Sequence, residues 1–170
     1  MRLFKSKTLT ASLLSTLVPV MALALLTACN KKEEKKAEPA AAAAPAATTV
    51  TVTANDQMQF STKAIDVPAG SNVVIILQNI GTMAKDVMGH DLTILKPGTD
   101  IAAFATKAMT AKATDYIPAS EAASIVAHTK LLGPGESDTL KLAAPAPGDY
   151  PFICTFPGHY AMMQGVMSVK

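Results

Sequence analysis

The chain has no tryptophan, five phenylalanines, three tyrosines, three histidines and two cysteines in 170 residues. Each shortage closes off a class of function. With only His90, His128 and His159 to draw on, one small metal centre can be built, but not the second metal cluster that a redox enzyme normally needs. Charge of one sign is also missing where it would count. The first 28 residues carry Arg2, Lys5 and Lys7, residues 30–49 carry four lysines against three glutamates, and residues 50–170 carry eight lysines against ten acids, a net −2. A near-neutral domain without a basic stripe has no footprint for a nucleic acid partner. Beyond residue 26 there is no apolar run long enough to span a bilayer, and no internal repeat.

The N-terminus has the shape of a secretory signal. Arg2, Lys5 and Lys7 precede an apolar run over residues 13–26 that ends in Leu26-Thr27-Ala28-Cys29. The run is short, contains Ser15, Thr16 and Pro19, and stops beside a small residue, which suits cleavage better than spanning. Leu-Thr-Ala-Cys resembles the bacterial lipobox. That resemblance implies a signal peptide over residues 1–28 and a lipidated Cys29 that holds the mature chain to a membrane in the cell envelope. Residues 29–49 read as a tether: lysine, glutamate, alanine and proline offer no aromatic or branched aliphatic side chain to bury, so ordering entropy is not offset. A tether of this length reaches at most roughly 70 Å extended and on the order of 25 Å as a coil.

From Val50 to the C-terminus the pattern is that of strands and turns. Val50 and Val52 alternate with threonines, residues 73–77 form a continuous apolar run, and Leu92/Ile94, Leu140/Leu142 and Tyr150/Phe152/Cys154 repeat the two-residue period, with Val166 and Val169 in a final strand. Val67-Pro68-Ala69-Gly70, Gly133-Pro134-Gly135 and Pro145-Ala146-Pro147-Gly148 punctuate them. Ile101, Phe104, Ala105, Ala108 and Met109 break the pattern at near-helical spacing, which predicts one short inserted helix within residues 100–114. The predicted fold is all-β, a Greek-key sandwich of two sheets over residues 50–170.

Chemistry concentrates near the C-terminus. Cys154, His159 and Met163 stand in a Cys-x4-His-x3-Met arrangement between a strand and the last strand, with Pro157 and Gly158 turning the loop. If Cys29 carries lipid, Cys154 has no disulfide partner, and in an exported chain a lone cysteine among histidine and methionine is a candidate ligand. His90 completes a His₂Cys set with a weak thioether. Soft sulfur favours Cu(I) and imidazole tolerates Cu(II), so this set suits a copper ion that cycles between the two. Each residue has a plainer role open to it, since buried cysteine and paired methionines also pack cores.

Four segments then carry a resemblance: Asn55-Asp56-Gln57-Met58-Gln59-Phe60, Asp86-Val87-Met88-Gly89-His90, Val126-Ala127-His128-Thr129-Lys130-Leu131 and Cys154-Thr155-Phe156-Pro157-Gly158-His159. The chain resembles the azurin family of type 1 (blue) copper cupredoxins, in a lipid-anchored form. The resemblance implies about eight strands with a helical flap, and an electron-transfer protein rather than an enzyme. It implies one copper held by His90, His159 and the Cys154 thiolate, with Met163 axial and the Gly89 carbonyl opposite. It further implies a Phe156 amide donating to the sulfur and a surface His159. Around His159 it implies an apolar patch for redox protein partners drawn from Met58, Met83, Met88, Phe156, Pro157, Ala161 and Met162, two or three of them buried. A copper-binding or copper-delivery lipoprotein is the alternative, and a structural zinc site a weaker one because methionine is a poor zinc ligand.

The chain departs from the family pattern at four places. Positions near Val50 and at Ser71 lack the cysteines of the usual disulfide, Leu92 stands where a tryptophan is expected, and Asn79 replaces a histidine that titrates beside the site. Asp91 replaces the asparagine that ties the two ligand loops together. His128 reads as structural or solvated.

Overall fold

The computed structural model describes residues 47–170. The predicted signal, Cys29 and most of the predicted tether lie outside the described residues. The first strand, β1 (Ala47–Asn55), opens three residues ahead of the Val50 boundary, because Thr48 and Thr49 extend the β-branched alternation and pair in register with Val73 and Val74. The other strands are β2 (Gln59–Phe60), β3 (Ala64–Val67), β4 (Asn72–Asn79), β5 (Thr93–Leu95), β6 (Ile125–His128), β7 (Ser137–Ala143), β8 (Gly148–Ile153) and β9 (Gln164–Val169). They form a four-stranded sheet ordered β2-β1-β4-β7 and a five-stranded sheet ordered β3-β9-β8-β5-β6. The sandwich is therefore as expected, with nine strands among the described residues rather than about eight. The extra one is β2, two residues that close the tight turn after Asn55.

Alternation places the core. In β4, Val73, Ile75 and Leu77 are wholly buried while Val74 and Ile76 are half-buried, so the apolar run is one inner face and one partly covered outer face. Those side chains meet Val52, Ile94, Phe152, Met167 and Leu92 between the sheets. Leu92 is wholly buried at the position where the family pattern has a tryptophan. In β5 all three residues are buried, because a helix covers its outer side. That helix, α2 (Ile101–Thr110), presents Phe104 and Ala108 to Leu95 and Ile153 in a second small core, and leaves Met109 in solvent. Asp100 caps it by accepting from the Ala103 amide at 3.0 Å. The inserted helix thus falls within the predicted residues, and a 3-10 turn at Lys112–Thr114 ends it.

Two parallel pairs, β1 with β4 and β3 with β9, determine which loops share an end. Ala54 lies opposite Asn79, so the turn after β1 and the segment after β4 emerge side by side. At the same end Asn79 Nδ2 donates to the Leu132 carbonyl at 3.2 Å, and Leu132 pairs with His90 through both backbone hydrogen bonds. Asn79 is therefore a buried structural link and presents no titratable ring beside the site. At the missing disulfide, Val50 pairs with Ile75 and Ser71 Oγ donates to the Pro68 carbonyl at 2.8 Å.

Candidate metal centre

Two loops bring the donors together. The first follows α1, the four-residue helix Lys85–Met88, and carries Gly89, His90 and Asp91 into β5. A side chain at Gly89 would put its Cβ 2.5 Å from the Lys85 carbonyl and 3.1 Å from Leu131, so only glycine lets the backbone pass this close before His90. The second loop leaves β8 at Cys154 and folds back on itself. The Cys154 amide donates to the Met163 carbonyl at 3.0 Å, and the Met162 and Met163 amides both donate to the His159 carbonyl, at 3.0 and 2.8 Å. Gly158, with φ at +83°, makes the reversal that side-chain-bearing residues resist.

The result is a cluster of His90, Cys154 and His159 whose donor atoms lie within 4.8 Å of one another. Cys154 Sγ stands 4.0 Å from His90 Nδ1 and 3.5 Å from His159 Nδ1. The imidazole planes are tilted by 39° with centroids 5.0 Å apart. Met163, next along the loop, is wholly buried. The expectation of a surface His159 needs correction: it is only 3% exposed, because the Phe156 ring packs on it at 4.6 Å between centroids. His128 is exposed, its Nδ1 donating to the Thr129 carbonyl at 2.9 Å, and takes no part.

Burial keeps the donor groups in their neutral forms. Burial lowers the pKa of both ligand-type histidines, His159 to about 4, so the rings are neutral at physiological pH. For His90 the Asn55 backbone opposes the effect of burial. Burial, and then the Asp91 carboxyl, push the Cys154 thiol well above its ordinary pKa, whereas the backbone amides of Asp91 and Phe156 act the other way and favour the thiolate. A neutral imidazole pair around a thiol that ionises only with compensation is the donor set that a soft, redox-active ion such as copper completes.

Asp91 is wholly buried and ties the loops as its position predicts. Its Oδ1 accepts from the Thr155 amide at 2.6 Å, and its Oδ2 from Thr93 Oγ1 at 2.7 Å. Burial raises its pKa above the usual carboxyl value, with the Thr93 and Thr155 hydrogen bonds opposing. Of the predicted surface patch, Met83 and Met162 are 40% and 52% exposed, Met58, Met88 and Pro157 are half-buried, and Phe156 is buried. Ile80 and Val87, at 60% and 53%, are apolar and exposed on the segment leading to His90 and extend the apolar surface beyond the predicted patch.

Comparison with known proteins gives a consistent picture. A family model described as copper binding proteins, plastocyanin/azurin family, matches residues 46–170. Outer membrane protein H.8 of Neisseria gonorrhoeae is 46% identical over 122 residues, 70% of this chain and 66% of that protein, so the chain spans just under two thirds of that relative's length. Azurin of Pseudomonas fluorescens biotype A is 38% identical over 127 residues, 71% of this chain and 97% of that protein. Among solved structures, auracyanin A, a "blue" copper protein of Chloroflexus aurantiacus, superposes with a TM-score of 0.66 at 30% identity, covering 74% of this chain and 100% of that one.

Proposed function

Because the chain belongs to the plastocyanin/azurin family of copper-binding proteins, we propose that it carries single electrons between redox proteins in the bacterial cell envelope. The observation that carries this reading is the convergence of His90 Nδ1, Cys154 Sγ and His159 Nδ1, all buried, from two separate loops. His90, His159 and Cys154 would hold the copper, with the Met163 thioether and the Gly89 carbonyl as weaker donors. Bound there, copper supplies one-electron chemistry by alternating between Cu(II) and Cu(I).

The chain's own residues keep that change small in structural cost. Phe156 and the buried floor exclude water from His159. Asp91 bridges the loops so that neither ligand moves independently. The Asp91 and Phe156 amides facing the sulfur stabilise its negative charge. Met83, Met162 and the exposed apolar residues beside them offer an adaptable docking face for partner proteins.

The relatives and the N-terminal motif together support an envelope location. Outer membrane protein H.8 is named for an envelope site, and the lipobox-like Leu26-Thr27-Ala28-Cys29 supplies the means. The mature chain accordingly starts at a lipidated Cys29, continues as a tether to about residue 49, and ends in the copper domain. The test is to load the chain with Cu(II) and record absorption and EPR spectra. An intense thiolate-to-copper band with narrow hyperfine splitting is expected, and Cys154→Ser abolishes it. A colourless product, or copper lost rapidly to a chelator without measurable electron self-exchange, refutes electron transfer and favours copper delivery.

A further inference from the structure

His90 and Cys154 have no exposed surface at all, so the 3% that His159 retains is where the donor cluster comes nearest to solvent. The Phe156 ring lies over that histidine, and is itself covered in turn. The Tyr116 ring meets Phe156 edge-on, with centroids 5.2 Å apart and planes at 69°. Tyr116, Phe156, His159 and Cys154 therefore form one continuous stack, whose last step is the 3.5 Å between His159 Nδ1 and Cys154 Sγ. Tyr116 enters it from the segment after α2, which supplies no donor.

The backbone that presents Tyr116 is strained. Asp115 and Tyr116 follow one another at φ of 51° and 64°, in the left-handed region. Aspartate is often found there, whereas a bulky tyrosine is a true outlier and persists only where its surroundings insist on it. Four hydrogen bonds do so. The Asp115 amide donates to the Lys112 carbonyl at 3.2 Å, the Tyr116 amide to the Ala111 carbonyl at 2.9 Å, and Thr114 Oγ1 to the Ala111 and Ile117 carbonyls at 3.0 and 2.7 Å. The turn is thereby fastened to the end of α2, and its aromatic side chain is aimed at the ligand loop. Beside the two rings lies open space. A cleft of about 380 Å³, lined by Lys85, Lys112 and Leu131 as well as by Tyr116 and Phe156, gives the Phe156 ring somewhere to move once Tyr116 no longer holds it.

We propose that Tyr116 is a positioning residue for the donor cluster. Its ring keeps Phe156 seated on His159, and so closes the side from which a metal ion or another small solute reaches His159 and Cys154. The left-handed turn at Asp115 and Tyr116 is what directs the aromatic edge there. Such closure governs access to the donors whether or not the site carries electrons.

The test is the accessibility of Cys154 in the metal-free full chain, purified in detergent. Iodoacetamide labelling of Cys154 is timed by mass spectrometry on its own peptide, in the parent and in Tyr116→Gly. Glycine tolerates the left-handed turn, so the ring is removed without new backbone strain. Labelling is expected to quicken by about twofold to about tenfold, the span that one edge-on aromatic pair is worth, while the amides of β4, in the other sheet, keep the parent's hydrogen exchange. Tyr116→Phe, which retains the ring, is expected to match the parent. After loading with Cu(II), Tyr116→Gly is expected to lose the ion to a chelator faster by a similar factor. Should Tyr116→Gly fail to fold, Tyr116→Leu keeps bulk without the ring, and faster labelling is again expected. Unchanged Cys154 labelling overturns the proposal, as does a Tyr116→Phe chain that labels as fast as Tyr116→Gly, or copper that leaves parent and Tyr116→Gly equally fast. Labelling that quickens only in step with β4 exchange overturns it too, because that is a loss of global stability. A parent that binds no copper sinks the electron-transfer reading and leaves the labelling result to decide the role of Tyr116.

Discussion

Asp91 shows how one residue holds two loops and at the same time sets a pH dependence. Asp91→Ala strips the buried Thr155 amide of its acceptor and is expected to cost about 1–3 kcal/mol, whereas Asp91→Asn keeps an oxygen in place and costs less. The sign with pH follows from burial. A carboxyl whose folded pKa is raised contributes stability that is complete below its unfolded value of 3.8 and is lost as pH rises through the folded value. The stability difference between the metal-free parent and Asp91→Asn therefore shrinks, in the parent's disfavour, as pH rises from 3.8, and denaturant titrations at several pH values measure it. His90 and His159 act in the opposite sense. Their folded pKa values are lowered, so their stability is complete above 6.5 and lost on acidification, for His159 as pH falls through about 4. A His159→Gln variant of the metal-free chain loses part of that acid slope. The identities of Asp91 and the ligand set were legible in the chain because each stands in a short motif. The near-closure of His159 was not, since the Phe156 ring that covers it comes to bear only once Gly158 has turned the loop.

At the scale of elements, α2 covers a small core of its own, which reaches the ligand loop through Ile153 and Tyr160. Phe104 is 1% exposed against Leu95 and Ile153, and Phe104→Ala is expected to cost about 3–5 kcal/mol through lost contacts and a cavity. The thiolate-to-copper band should be retained, because Tyr160, the ligand-loop side chain that packs on that core, is not itself a donor; calorimetry and absorption of the same sample check both halves. The helix was readable from Ile101, Phe104, Ala105 and Ala108 at helical spacing. Strand β2 was not, because two residues carry no periodicity and its existence depends on β1 being there to pair with. The short α1 escaped for the same reason: four residues carry little periodicity, and the turn before it, at Thr82 and Met83, is held by Asp56 from another loop.

For the whole molecule, the proposed anchor and the proposed electron-transfer site reside in different stretches of chain, and they should separate cleanly. Cys29→Ala is expected to move the protein from the membrane fraction to the soluble one with its copper spectrum intact; a variant that stays in membranes contradicts the lipid anchor. The amino-acid sequence by itself determined the sandwich class, the inserted helix and the Cys154, His159 and Met163 spacing from which a copper centre is proposed, because alternation, turn residues and motif spacing are local properties that need no partner to be recognised. Only the tertiary structure decided which strands run parallel, that Asn79 serves as a buried tie, and that Asp56 grips the segment beside His90. Those are contacts between residues far apart in the chain, and their pairing is set by sheet order and register, which no local pattern contains.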